Sequence, residues 1–262
     1  KTIGTSLFSD CPALESVTFE SGSKLKKLSD RMIYNDVSIR SFTVPDGVTD
    51  IGTYAFSRSG VKTVNFPVSV TSIGGNAFAY CTDLTDVNFA SGSKLTTIGT
   101  TVFQNCSALT QITLPSGVTS IGNYAFQRTG LTEVTIPDGV TAIGNYTFME
   151  AASLKKVTLP DSVTTIGNNA FQNCVALTEV RMPAGLTEIK TRAFDGCVSL
   201  RAAVLPAGVT TIGTYAFQNC ASLESFTIPA SVTALANYTF NGCAALKAIT
   251  IPGTVHTIGA YA

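Results

Sequence analysis

Catalytic and charged groups are scarce in this chain. It holds one histidine, His256, in 262 residues. That removes Ser–His and Cys–His catalysis within the chain. Charged residues make up 13%, roughly half of the usual share. The 17 basic and 17 acidic residues cancel and are scattered. Nothing in that balance points to nucleic acid or to an anionic membrane. No apolar run approaches the roughly 18 residues of a membrane span. There is no Walker or Rossmann glycine pattern, because the glycines recur at a fixed period and not as a phosphate loop. There is no C-x-x-C, no His or carboxylate cluster at zinc spacing, and no carboxylate pair suited to acid/base work. These absences imply no enzyme, no cofactor and no metal. The chain opens on KTIGTSLF, without an initiator Met or a signal peptide.

What is present is repetition. Hydrophobic residues reach 45%, which argues against disorder. They recur in a 23-residue unit, L-x-x-V-x-[IL]-P-x-x-V-T-x-I-G-x-x-A-F-x-x-C-x-x, seen for example in Pro160 to Met182. A fixed period of this length marks a repeat array. The A-F phenylalanine falls at Phe8, Phe56, Phe78, Phe103, Phe126, Phe148, Phe171, Phe194, Phe217 and Phe240, with Ile33 in the gap. Successive spacings are 25, 23, 22, 25, 23, 22, 23, 23, 23 and 23. Both 25s arise where the P-x-G-V turn becomes E-S-G-S-K-L (20–25) or A-S-G-S-K-L (90–95). Both 22s arise where the segment after A-F shortens, at 57–61 and 127–131. Length changes confined to turns leave strand register intact.

The segment L-x-x-V-x-[IL] occurs eleven times and alternates as a half-buried strand does. Proline follows in nine copies, where it ends the ladder and presets a turn. V-T-x-I-G predicts a second short strand. Its glycine, at 52, 74, 99, 122, 144, 167, 213 and 259, fits a positive φ or a tight corner. The A-F segment predicts one helical or 3₁₀ turn, too short to stand alone. Stacked coils rise about 4.8 Å each, so eleven rungs predict a solenoid on the order of 50 Å long. Residues 1–262 read as one array, cut inside a repeat at both ends, and so as a fragment of a longer protein.

All seven cysteines, at 11, 81, 106, 174, 197, 220 and 243, sit three residues after the A-F position. A disulfide ladder and a column of small buried thiols both fit that placement. An odd count blocks complete pairing. Stacked Cβ atoms about 4.8 Å apart exceed the usual ~3.8 Å of a disulfide, which favours thiols. His256 replaces the Thr of V-T-x-I and reads as a surface residue.

The unit resembles the BspA-type, or Treponema pallidum-type, leucine-rich repeat over nearly the whole chain. Residues 28–33 lack the Gly and the Phe, and Lys190 and Ala236 replace the Gly in single copies. The resemblance implies a leucine-rich-repeat solenoid of about eleven repeats. It would be a right-handed superhelix, mostly β, with a parallel sheet on its concave face, a second set of short strands, and short turns or 3₁₀ segments. It also implies a secreted or cell-surface setting in host-associated bacteria and some protists, and adhesion to host or microbial proteins. The expected partner is therefore a protein, with no nucleic acid and no membrane insertion, and the chain itself monomeric. Two other readings stand beside adhesion: a structural spacer in a surface protein, and an intracellular interaction scaffold, which free thiols permit.

The outward positions of the L-x-x-V-x-[IL] strand are the usual binding face in such a fold. Most hold Thr, as β-propensity on a wet sheet explains. Lys155, Lys156, Glu179, Arg181 and Arg201 depart from that monotone and form the candidate protein-binding patch. A tyrosine column two residues before the A-F phenylalanine adds Tyr215 and Tyr238 on consecutive rungs. These are candidate anchors, or else rings half-buried along the coil edge.

Overall fold

The computed structural model describes residues 3–262. Lys1 and Thr2, which fall inside the first, partial copy of the repeat, lie outside the described residues. Two compact units divide at Leu131 and Thr132. Each unit is a stack of parallel coils, and every strand pair is parallel.

In the first unit the V-T-x-I segments Lys27–Leu28, Asp50–Ile51, Ser72–Ile73, Thr97–Ile98 and Ser120–Ile121 make a five-stranded ladder. Ser41–Thr43, Thr63–Phe66 and Asp86–Phe89 make a three-stranded one. In the second unit the L-x-x-V-x-[IL] segments dominate. Glu133–Thr135, Lys156–Thr158, Glu179–Arg181, Ala202–Val204, Ser225–Thr227 and Ile249–Thr250 form six parallel strands. Ala142–Ile143, Thr165–Ile166, Glu188–Ile189 and Thr211–Ile212 run beside one another in a second ladder, and Ala234–Leu235 pairs with Thr257–Ile258.

Register follows the repeat. Thr63 pairs with Asp86, and Ser72 pairs with Thr97. The two extra residues are therefore taken up between these strands. There Gly92 adopts φ 73° and Ser93 N–H closes on Ala90 O. Each prolyl carbonyl of the P-x-x-V segments accepts the N–H three residues on, as in Val163 to Pro160 at 3.1 Å. The V-T threonines tie coils together twice over. The N–H and the hydroxyl of Thr71 both donate to Thr49 O, at 2.8 and 3.1 Å. Thr187 does the same to Thr164 O, at 2.9 and 3.1 Å. His256 keeps only the backbone bond, to Thr233 O at 2.8 Å.

Two local expectations fail. The A-F segment is neither a helical nor a 3₁₀ turn. Its N–H groups alternate between acceptors. Tyr54, Phe56 and Arg58 donate to Gly75, Ala77 and Ala79 on the next coil, at 3.0, 2.7 and 2.9 Å. Ala55, Ser57 and Ser59 donate back to Gly52, Tyr54 and Phe56 of their own coil, at 3.3, 3.1 and 3.0 Å. That alternation requires left-handed residues two before and two after the phenylalanine, here Tyr54 (φ 56°) and Arg58 (φ 62°). Asn169 and Asn173, both at φ 56°, flank Phe171 in the same way. A helix would aim every N–H back along its own axis and leave none for the neighbouring coil.

At the I-G glycines the positive-φ alternative is the one that fails. None of Gly52, Gly74, Gly99, Gly122, Gly167, Gly213 or Gly259 has positive φ. Their reason is close approach: a Cβ on Gly167 would stand 2.7 Å from the carbonyl carbon of Gly144 on the adjacent coil. Lys190 nevertheless keeps the coil-to-coil bond, its N–H reaching Ile166 O at 2.9 Å.

Phenylalanine fills the core. Phe56, Phe78, Phe103 and Phe126 stack in the first unit with centroids 4.9, 5.7 and 5.5 Å apart. Phe148, Phe171, Phe194, Phe217 and Phe240 stack in the second at 5.3, 5.2, 5.2 and 6.0 Å. All but Phe240 are fully buried. We expect Phe171→Ala to cost about 3–5 kcal/mol, read as a lower midpoint in denaturant unfolding. An unchanged midpoint would contradict the stack.

Asp36 interrupts the core. It lies three residues after Ile33, in the slot that cysteine fills on other coils, and is fully buried. Its Oδ1 accepts the Cys11 N–H at 2.6 Å, while Oδ2 has no partner. Burial pushes its carboxyl up to about 6, with the Cys11 bond opposing and the Asp10 charge adding. A carboxyl that titrates higher in the fold than in the unfolded chain destabilises the fold wherever it is ionised. We therefore expect Asp36→Asn to raise the thermal midpoint at pH 7.5, by about 1–3 kcal/mol of stability. The gain shrinks as pH falls through 6 and vanishes near pH 4. A gain independent of pH would rule this cause out.

Candidate binding surface

The six-stranded ladder of the second unit carries most of the charged candidates. Strand residues alternate, with Val134, Val157 and Val180 buried and their neighbours exposed. Register pairs Glu133 with Lys156, and Lys156 with Glu179. One row of outward side chains therefore alternates in charge across three strands. Thr135, Thr158 and Arg181 form a second row. Lys155 and Arg201 sit one residue before their strands, both exposed. Lys155 O accepts the Thr178 N–H, and Thr178 O accepts the Arg201 N–H. This places the two basic residues two coils apart in one column. Arg181 reaches Asp161 at 3.4 Å. The Ala184 N–H, and after it the Arg181 charge, hold the Asp161 carboxyl below the usual carboxylate range.

Beyond Arg181 the face changes character. The strand Ala202–Val204 presents Val204, 76% exposed, and the next strand presents Ser225 and Thr227. Within the strands charged residues thus give way to neutral ones, while exposed Arg201 and Glu224 continue the column just before them. Val204 departs from the Thr row of the sequence, and Ala202 departs from the charged row of Glu133, Lys156 and Glu179; both mark this boundary.

Tyr215 and Tyr238 do not join this patch. They occupy the left-handed position of the A-F turn, with φ 61° and 58°. Their rings stack at 4.8 Å, Tyr238 stacks on Tyr261 at 4.9 Å, and Arg192 lies 4.5 Å from the Tyr215 centroid. Tyr215 and Tyr238 are half-buried. Arg192 was missed, although it stands in the tyrosine column of the sequence.

The cysteines are satisfied within the scaffold. Six of the seven thiols donate to the carbonyl of the A-F phenylalanine one coil back, while Cys11 points to Ser9 O at 3.8 Å. Cys81 reaches Phe56 O at 2.9 Å, Cys106 reaches Phe78 O and Cys174 reaches Phe148 O at 3.1 Å. Cys197, Cys220 and Cys243 reach Phe171, Phe194 and Phe217 at 3.1, 3.3 and 3.2 Å. All seven are free. Burial pushes Cys81 up to about 12 and Cys243 to about 11, and raises Cys106, Cys174, Cys197 and Cys220 as well. Cys11 departs from the expected buried column, since it is exposed. Among the described residues no three His, Cys, Asp or Glu side chains are grouped to hold a metal ion. No helix among the described residues is long and apolar enough to cross a membrane.

Parallel coils with a short strand on each of two faces, a stacked phenylalanine core and a thiol column define a leucine-rich-repeat solenoid. The chain belongs to the BspA-type leucine-rich repeat family, whose repeat region matches residues 1–94, 26–154, 91–201 and 141–262, with six copies. Among solved structures it is similar to a leucine-rich repeat protein of Bacteroides ovatus. That likeness has 27% identity and a TM-score of 0.77, covering 98% of this chain and 71% of the other. A leucine-rich repeat protein of Eubacterium ventriosum shares 26% identity at a TM-score of 0.64, covering 95% and 74%. The pneumococcal vaccine antigen PcpA shares the fold at 22% identity and a TM-score of 0.55, covering 93% and 77%. No curated protein sequence matches the chain.

The thiol geometry has a direct readout. We expect a thiol reagent to modify Cys11 rapidly in the native protein, and Cys81, Cys106, Cys174, Cys197 and Cys220 only on unfolding. Unfolding without reductant should expose seven reactive thiols. Fewer than seven would mean that a disulfide is present.

Proposed function

We propose that the chain is a non-enzymatic protein-binding array, secreted or displayed at a bacterial cell surface, that adheres to host or microbial proteins. One observation carries this reading. Every recurring position of the repeat is used by the scaffold: Phe and Cys in the core, Pro and Gly in turns and close contacts, Thr in coil-to-coil bonds. The outward residues Lys156 and Glu179 have no such task, and Arg181 makes an exposed ion pair with Asp161, yet all three lie in register on one exposed sheet. Lys155 and Arg201 widen that patch, and Val204 offers an apolar contact at its border. The surface setting and the adhesive role rest on the family resemblance.

The test is a panel of immobilised extracellular-matrix proteins. Binding is expected to at least one of them. The triple variant Lys156→Ala, Glu179→Ala, Arg181→Ala should bind it at least about 10-fold more weakly, since charged contacts contribute on the order of 1–3 kcal/mol each. Its melting curve should stay within about 1 °C of the parent, as expected for exposed positions. Binding that survives the triple variant would point to a spacer role for this face. No binding across the panel would overturn adhesion to matrix proteins.

A further inference from the structure

The left-handed positions of the A-F turn hold residues that such positions disfavour. Among the described residues, 21 non-glycine residues have positive φ, and eleven of these are Tyr or Arg. Asn tolerates this conformation at little cost, and six of the 21 are Asn. Bulky residues there mark strain that merits a reason. In the first unit the reason is visible in the side chains. Arg31 lies 5.7 Å from the Tyr34 ring centroid and 5.4 Å from that of Tyr54, one coil on. Arg58 lies 5.0 Å from the Tyr80 centroid, again one coil on. Tyr54 and Arg58 belong to one turn, so the two pairs are neighbours on the same coil edge.

Arg31 and Arg58 are exposed, and each guanidinium carbon lies over a tyrosine ring. Their N–H edges have no carboxylate within ion-pair reach. Nearby acids are already engaged. Asp30 accepts from Lys27 at 3.0 Å and from the Thr53 N–H at 3.0 Å. Asp10 accepts from Asn35 at 2.8 Å and Ser9 at 2.9 Å. Asp83 is bound to Arg40 at 3.1 Å. Asp36 is buried. Two guanidinium forks are thus held over tyrosine rings, with their own charge unanswered. A guanidinium fork matches a carboxylate in two parallel hydrogen bonds, and orientation in advance lowers the entropy lost on binding. Tyr and Arg are also the side chains that most often dominate protein interfaces.

We propose that the edge formed by Arg31, Tyr34, Tyr54, Arg58 and Tyr80 is a second docking surface, and that its occupant is an acidic polypeptide segment. Each guanidinium clamps one carboxylate, and the tyrosine rings hold the guanidiniums in place. This surface is separate from the strand face of the second unit and does not depend on it.

The experiment titrates the whole chain into fluorescently labelled poly-L-glutamate and reads anisotropy at low and moderate salt. Saturable binding is expected, weakening as salt rises. Arg31→Asn and Arg58→Asn suit this test, because Asn already fills the same columns at Asn76 and Asn35 with positive φ. Each should weaken binding about 10-fold without lowering the melting temperature. Arg31→Lys and Arg58→Lys keep the charge but lose the fork, and should also weaken it. The triple alanine variant of the strand face should bind poly-L-glutamate as the parent does. The proposal is overturned if the parent does not bind, or if the double Asn variant binds equally well. It is also overturned if heparin binds through these arginines while poly-L-glutamate does not.

Discussion

The structure depends on how one turn divides its backbone hydrogen bonds. In the A-F segment alternate N–H groups point to the next coil and back to their own. The outgoing bonds align each phenylalanine with its counterpart one coil away, which sets the ring stacks near 5 Å. The same alignment leaves each phenylalanine carbonyl with a free lone pair facing the next coil. A cysteine three residues after the next phenylalanine meets it with a thiol. Core, thiol column and coil spacing are therefore one arrangement. A thiol suits the slot because it is small, apolar and still a weak donor. Where Asp36 takes the slot, a carboxylate oxygen is stranded without a partner.

That alternation has a cost. Two residues per turn must adopt the left-handed conformation, at roughly 1–2 kcal/mol each for most side chains. Neighbouring coils offset part of it. Tyr215 stacks on Tyr238, and arginines lie over tyrosines, contacts worth about 0.5–1.5 kcal/mol each. Asn needs less help, and it also bonds along the column, as Asn35 does to Asp10. A left-handed column stays compatible with varied side chains because each rung can be supported by the one beside it.

Much of this was legible in the sequence. The spacing of Phe, Pro and Gly gives the period, and the spacing anomalies fall in turns as register demands. The cysteine column was readable as thiols from its odd count and wide stacking distance. The left-handed turn was not, because Tyr54, Arg58, Tyr215 and Arg192 are residue types that argue against positive φ. The glycine of I-G misled for a related reason: glycine serves close approach as readily as positive φ, and residue type alone does not separate them. Of the candidate residues, the strand register joins Lys156, Glu179 and Arg181. Tyr215 and Tyr238 belong to another edge, since position within the repeat, not proximity in the chain, decides which residues meet.

Outward side chains are unequally tied to the scaffold on the two surfaces. On the strand face an outward side chain has no backbone requirement beyond extended geometry. Lys156 can be exchanged for Thr with little effect on the fold, and Arg181 at the loss of one exposed ion pair to Asp161. On the turn edge every side chain inherits a constrained φ. Replacing Arg31 by a β-branched residue would strain the turn that sets the coil spacing, whereas Asn or Gly would relax it. Tyr and Arg occupy such positions against a local preference. Stacking offsets that preference only in part, and a ligand that engages the exposed guanidinium edges would account for the remainder.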